Sequence, residues 1–165
     1  MNDSPALIEE AYDQYADAIF RHCYLRLSNR EVGKDLMQET FLKAFQYAEK
    51  GQKIENLRAL LYRIANNLVI DYVRKFKESS LDAMQEAGFD RTGADDRDLG
   101  KNLEQQRVIR ELSKLDPEDR QVITLRFIDE LKPQEIAEIL DLSANVVSVR
   151  IHRALKDLKD LLQQA

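Results

Sequence analysis

The sequence predicts an all-α protein built as two small helical domains on a tether. Three observations carry this reading. Only 5 glycines and 3 prolines interrupt 165 residues, and Gly88, Gly93 and Gly100 fall close together. The long stretches between breakers are rich in Leu, Ala, Glu, Lys and Arg, residues that cost little in a helix. No stretch alternates apolar and polar β-branched residues as a half-buried strand would.

Charge and apolar content set the boundaries. Residues 1–77 hold 12 basic and 11 acidic side chains, 104–165 hold 10 and 12, and 78–103 hold 3 and 7 with few large apolar groups. A segment of that last composition cannot bury enough surface to offset its ordering entropy, so 78–103 reads as a flexible acidic linker. A net charge of −5 argues against a uniformly basic coat, while 44% hydrophobic residues supply cores. One cysteine excludes a disulfide framework and a multi-cysteine zinc site. Met1 to Glu10 lacks the basic start and apolar stretch of a signal peptide, and no apolar run reaches the ~18 residues that span a bilayer. The expectation is a soluble, cytoplasmic protein with no membrane insertion of its own.

The first helix starts at Ser4-Pro5, a hydroxyl cap followed by a proline whose missing N–H costs nothing there. Leu7, Ile8, Ala11, Tyr12, Tyr15, Ile19, Cys23 and Leu27 follow at helical spacing until Ser28-Asn29-Arg30-Glu31 breaks the pattern. A second helix runs to about Ala48, with Val32, Leu36, Thr40, Phe41 and Ala44 inward. A loop containing Gly51 leads to Asn56, which caps a third helix. At about 100° per residue, Leu57, Leu61, Ile64, Leu68, Tyr72 and Phe76 share one arc of it, and Arg63, Asn66, Asn67 and Arg74 the opposite arc. Between Lys50 and Lys77, seven basic residues stand against two acidic ones, a local +5 inside an acidic protein. Such a face is either plain solvated surface or a contact for phosphates and base edges.

The second block opens with Leu103 to Leu115. Asp116-Pro117-Glu118 restarts a helix through Val122, Ile123, Leu125, Arg126 and Phe127. Pro133 to Leu140, the turn Asp141-Leu142-Ser143 and a last helix capped by Ser143 then have the outline of a helix-turn-helix, or of a plain helical hairpin. Ala137 is small enough for a close crossing. On the last helix Val147, Ile151, Ala154, Leu155 and Leu158 face inward; Asn145, Val149, His152, Arg153 and Lys156 face outward, with Val146, Ser148 and Arg150 on the flanks.

Three segments together resemble a known family. Asp35-Leu36-Met37-Gln38-Glu39-Thr40-Phe41-Leu42-Lys43-Ala44-Phe45 looks like the second-region core helix of bacterial RNA polymerase sigma factors. Leu57 to Arg74 is similar to the promoter-melting helix that follows it. Ile136-Ala137-Glu138-Ile139-Leu140 with Val147, Arg150, His152, Arg153 and Ala154 resembles the fourth-region helix-turn-helix. Two domains and a short linker match the extracytoplasmic-function (ECF) group. The resemblance implies that Asp35, Gln38, Glu39 and Phe41 bind the clamp helices of core RNA polymerase. It implies that Gly51 and Asn56, in a loop that holds a flipped base, and Arg63, Asn66, Asn67, Arg74 and Lys75 serve recognition and melting of the promoter −10 element. It implies that Ser143, Asn145, Val146, Ser148, Val149, Arg150, His152 and Arg153 meet the −35 duplex, with the second domain docked on the polymerase flap. An anti-sigma factor is the implied inhibitory partner. Two departures stand out: Lys132 occupies a position that often carries a capping hydroxyl, and Asn145-Val146-Val147-Ser148-Val149-Arg150 replaces the common Gly-Thr-Val-Lys-Ser-Arg.

His22 and Cys23 are adjacent, but Cys23 falls in the apolar arc of its helix, which fits a core residue rather than a metal ligand. No phosphate-cradling glycine loop, nucleophile–base pairing or metal-ligand set is legible, so neither an enzyme nor a cofactor is expected. Two rivals remain. A sigma-like protein could sequester or mimic partners without initiating transcription, and a free-standing dimeric regulator could use the helix-turn-helix alone.

Overall fold

The computed structural model describes residues 4–79 and 103–164, and these hold helices and turns with no strand among them. The chain divides into two compact units, Met1–Asp90 and Arg91–Ala165. The acidic linker expected over 78–103 lies outside the described residues, apart from its ends: Glu78 and Ser79 finish one helix and Leu103 opens another.

The described residues of the first unit form three long helices, α1 (Ser4–Leu27), α2 (Arg30–Glu49) and α3 (Leu57–Ser79), each packed on the other two. Only Ser28 and Asn29 separate α1 from α2. Ser28 takes a left-handed φ of 52°, and the Asn29 side-chain oxygen accepts from the Val32 N–H at 3.1 Å, capping α2. Gly33 lets the helices close: a Cβ there would stand 3.4 Å from both the Phe20 ring and the Tyr24 backbone nitrogen. The core collects Ile8, Ala11, Ile19 and Cys23 of α1, Leu36, Phe41 and Ala44 of α2, and Ala59, Leu61, Tyr62, Ala65 and Val69 of α3. Leu7 and Tyr12, expected inward on α1, lie exposed at its edge. His22 is fully buried with its ring edge-on to Tyr62, 5.6 Å between centroids.

The described residues of the second unit form three short helices, α4 (Leu103–Leu112), α5 (Pro117–Ile123) and α6 (Pro133–Leu140), and a long one, α7 (Ala144–Gln164). The helix expected to continue through Phe127 widens instead into one π-helical turn, Thr124–Ile128, closed by the Asp129 N–H on the Thr124 carbonyl at 2.9 Å. The wide turn leaves Phe127 outside and brings Leu131 fully into the core. With Lys132 unable to cap α6, the Glu135 carboxylate accepts from the Lys132 backbone N–H at 3.3 Å. Asp141 ends α6 in the left-handed region, φ 56°, and the Leu142 N–H bonds the Ala137 carbonyl. Ser143 then caps α7, its hydroxyl oxygen accepting from the Val146 N–H at 3.2 Å. Arg120 ties α5 to the preceding turn through the Ser113 carbonyl at 2.6 Å, and Arg107 bonds the Leu162 carbonyl near the end of α7.

Candidate nucleic-acid interface

The loop before α3 is fixed at both ends. Gly51 sits at φ 76°, a conformation that leaves α2 without strain only because the residue lacks a Cβ, and its N–H bonds the Ala48 carbonyl. Asn56 accepts from the Ala59 N–H at 3.0 Å, so its side chain caps α3. The loop residues Gln52, Lys53 and Glu55 are exposed.

From this start the structure sets the phase of α3 and corrects the arcs read from the sequence. Leu61, Tyr62, Ala65, Asn66 and Val69 are buried, whereas Ile64 and Leu68 are half-buried and Phe76 is exposed. The core face is therefore rotated toward the small residues Ala59 and Ala65, where neighbouring helices can approach closely. Asn66 is the clearest correction: it belongs to the core, not to the basic face, and accepts from the Arg26 guanidinium at 2.8 Å. Arg63, Asn67, Arg74 and Lys75 are exposed as expected. Arg74 is tethered to Asp71 at 2.8 Å, with both groups open to solvent. The same face carries one residue that sequence reasoning missed. Ile70, 44% exposed, lies between Asn67 and Arg74, and the spacing 63, 67, 70, 74 was the available signal.

On α2, Asp35, Gln38 and Glu39 form an exposed acidic strip. Phe41 is not part of it: its ring is buried and stacks edge-on against Tyr12 at 4.9 Å. The exposed apolar member of the strip is Leu42, missed although it follows Asp35 by seven residues and so shares its face. Leu42 also borders a shallow apolar groove with Ile8, Tyr12, Phe41 and Phe45.

The second unit supplies the other face. Along α7, Val147, Ile151, Ala154 and Leu158 are buried, and Asn145, Val146, Ser148, Val149, His152, Arg153 and Lys156 are exposed. Arg150 is half-buried on the flank, its guanidinium 3.9 Å from Glu118 of α5, and Ser143 is committed to its cap. The carboxyl of nearby Asp119 is raised above its ordinary value. Burial is the main cause, with Asp157 and Asp116 adding to it and Arg153 and Arg150 opposing it. The acids of α5 thus share the electric field of the two arginines on α7. Among the described residues no group of side chains could hold a metal ion, and no helix is long and apolar enough to cross a membrane.

These two units coincide with two matched families: residues 11–79 match Sigma-70 region 2, and residues 105–158 match Sigma-70 region 4. The ECF RNA polymerase sigma factor SigW of Bacillus subtilis is 34% identical over 161 residues, covering 92% of this chain and 86% of that protein. The RNA polymerase sigma factor YlaC of the same organism is 32% identical, covering 92% and 90%. Among solved structures, the sigma factor RpoE of Bartonella quintana, in complex with the anti-sigma factor NepR, superposes with a TM-score of 0.77 at 21% identity, covering 94% of this chain and 96% of that one. The chain belongs to the bacterial RNA polymerase sigma factors of the extracytoplasmic-function group.

Proposed function

We propose that the chain divides promoter recognition between two helices: α7 enters the major groove of the −35 duplex, and α3 opens the −10 element and tracks its single strand. One observation carries this reading. Each helix shows a basic, hydrogen-bonding face on the side away from its own core, in a protein that is acidic overall. On α3, Arg63, Asn67, Arg74 and Lys75 offer phosphate and base-edge donors, and the loop from Gly51 to Asn56 would hold an extruded base. Asn66 supports that face from beneath, through Arg26, rather than from its surface. On α7, the exposed Asn145, Ser148, His152 and Arg153 would meet base edges and phosphates, with Arg150 on the flank.

Core RNA polymerase is the first partner. Asp35, Gln38 and Glu39 suit a basic clamp helix, and Leu42 gives that contact an apolar anchor beside the groove, the place first assigned to Phe41. The second unit would dock on the flap. The solved relative bound to an anti-sigma factor supports an inhibitor of that kind here. The factor works in the cytoplasm, where polymerase and promoter meet, and it catalyses no reaction itself.

Run-off transcription tests the proposal. Core polymerase plus this chain should yield transcripts with defined 5′ ends from a subset of promoters, and core polymerase alone should not. A chain that binds core polymerase yet yields no start site would be a sequestering mimic. Specific nanomolar binding to duplex DNA without polymerase would favour a free-standing regulator, since a net charge of −5 repels phosphate at long range.

A further inference from the structure

We propose that Val149, with Val146 beside it, reads a thymine methyl group, so that the −35 element of this protein's promoters holds an A·T pair opposite Val149. The inference rests on the placement of α7 in the major groove and deepens it to a base preference.

The buried stripe of α7 fixes the direction in which Val149 points. At about 100° per residue, Val149 lies opposite the centre of the stripe formed by Val147, Ile151, Ala154 and Leu158. It is 51% exposed, and Val146, one turn earlier, is 43% exposed. Neither side chain is needed by the core, which is filled by other residues. Neither is favoured by helix formation, because a β-branched residue at an exposed helical position is a poorer helix former than the Lys, Glu or Ala that would ordinarily stand there. The rest of the exposed face is polar: Asn145, Ser148, His152, Arg153 and Lys156.

The result is a small apolar spot ringed by hydrogen-bond donors and positive charge, within the first two turns of the helix. Recognition helices address base edges with their N-terminal residues. In the major groove the apolar feature that distinguishes one base from the others is the thymine methyl. Two valines are too few to form the centre of a protein interface, which takes ~800 Å² from each partner. Their neighbours also divide the labour. Ser143 is held in its cap and Arg150 leans toward Glu118, which leaves Asn145 for an adjacent base edge and Arg153 for a phosphate.

A single-atom substitution in the DNA tests this. Holoenzyme assembled with core polymerase first transcribes a library randomised across the −35 element, which locates the preferred A·T pair. Each −35 thymine is then replaced by deoxyuridine, which keeps every hydrogen bond and removes the methyl. Wild type should lose about fourfold in promoter use at one position, the equivalent of one buried methylene. Val149→Ser should lose that sensitivity and relax the preference at that pair alone, while Val149→Thr, which retains a methyl, should keep part of it. Arg153→Ala should weaken all library members alike. Uracil that is neutral at every position, or a Val149→Ser protein as sensitive as wild type, overturns the proposal. If Arg153→Ala still weakens all promoters in that case, α7 is in the groove and only the valine reading fails. If Arg153→Ala has no effect either, the placement of α7 fails with it.

Discussion

The two helices assigned to DNA, α3 and α7, are built on opposite packing plans. α7 shows a narrow buried stripe, about 60° wide at 100° per residue, of four apolar residues. α3 is wedged against both α1 and α2, and its buried face, from Leu61 through Tyr62, Ala65 and Val69 to Asn66 and Ala59, spans about 160°. A narrow stripe leaves most of the helix free to face a ligand. A wide one consumes polar residues as well, and the functional face is whatever remains. Basic character is therefore an outcome of packing on α3 and of plain exposure on α7.

The largest effect that sharpens this contrast lies outside both helices. Reversing Asp35 and Glu39 to Lys should abolish co-purification with core polymerase while leaving the helical content unchanged, because both carboxylates are exposed and a basic partner would be repelled. Both DNA faces would then be intact and without effect in transcription. Undiminished binding would contradict the strip on α2 as the contact.

The next effect separates neighbours on α3. Asn66→Ala should lower unfolding stability by about 2 kcal/mol, since it removes a hydrogen bond to a guanidinium from the core. Asn67→Ala should leave thermal stability alone and reduce open-complex formation. Equal behaviour of the two variants in a thermal melt would break the description of α3 as a helix with a wide buried face.

The smallest effect concerns the acids beneath α7. Asp119 has a raised carboxyl in the folded state, so the native chain binds more protons than the unfolded chain just above the ordinary value of 3.8. Its contribution to stability therefore falls as pH rises through that window. Asp119→Asn should flatten this part of the stability profile, measured by denaturant unfolding at a series of pH values, and change stability at neutral pH by less than about 0.5 kcal/mol, because the site is screened by solvent. Removing a negative charge from the neighbourhood of Arg150 and Arg153 should also strengthen binding of all −35 sequences alike.

The contrast also explains what could be read without coordinates. The turn of the second unit was legible because Asp141-Leu142-Ser143 announces it chemically, through a left-handed stop and a hydroxyl cap. The stripe on α7 was legible because three of its four residues, Val147, Ile151 and Leu158, are large aliphatics at helical spacing. On α3 the largest apolar residues drew the arc toward Ile64 and Leu68, but two alanines mark the close approach and a buried hydrogen bond holds Asn66. Size is a poor guide where a helix is packed on two sides. Phe41 misled for the related reason that an aromatic beside carboxylates suggests a contact, whereas the seven-residue repeat from Asp35 leads to Leu42. The π-helical turn at Thr124–Ile128 has no compositional signature: its closing bond, from the Asp129 N–H to the Thr124 carbonyl, is between backbone groups.

The central claim, that α3 opens DNA and α7 reads it closed, is most directly tested on paired templates. One template is fully duplex, and the other carries a pre-melted, mismatched −10 segment. Run-off transcription should show that Arg63→Ala and Asn67→Ala are defective on the duplex and substantially restored on the pre-melted template, while Arg153→Ala is equally defective on both. Equal rescue of the α3 and α7 variants, or rescue of neither, would contradict the division of labour.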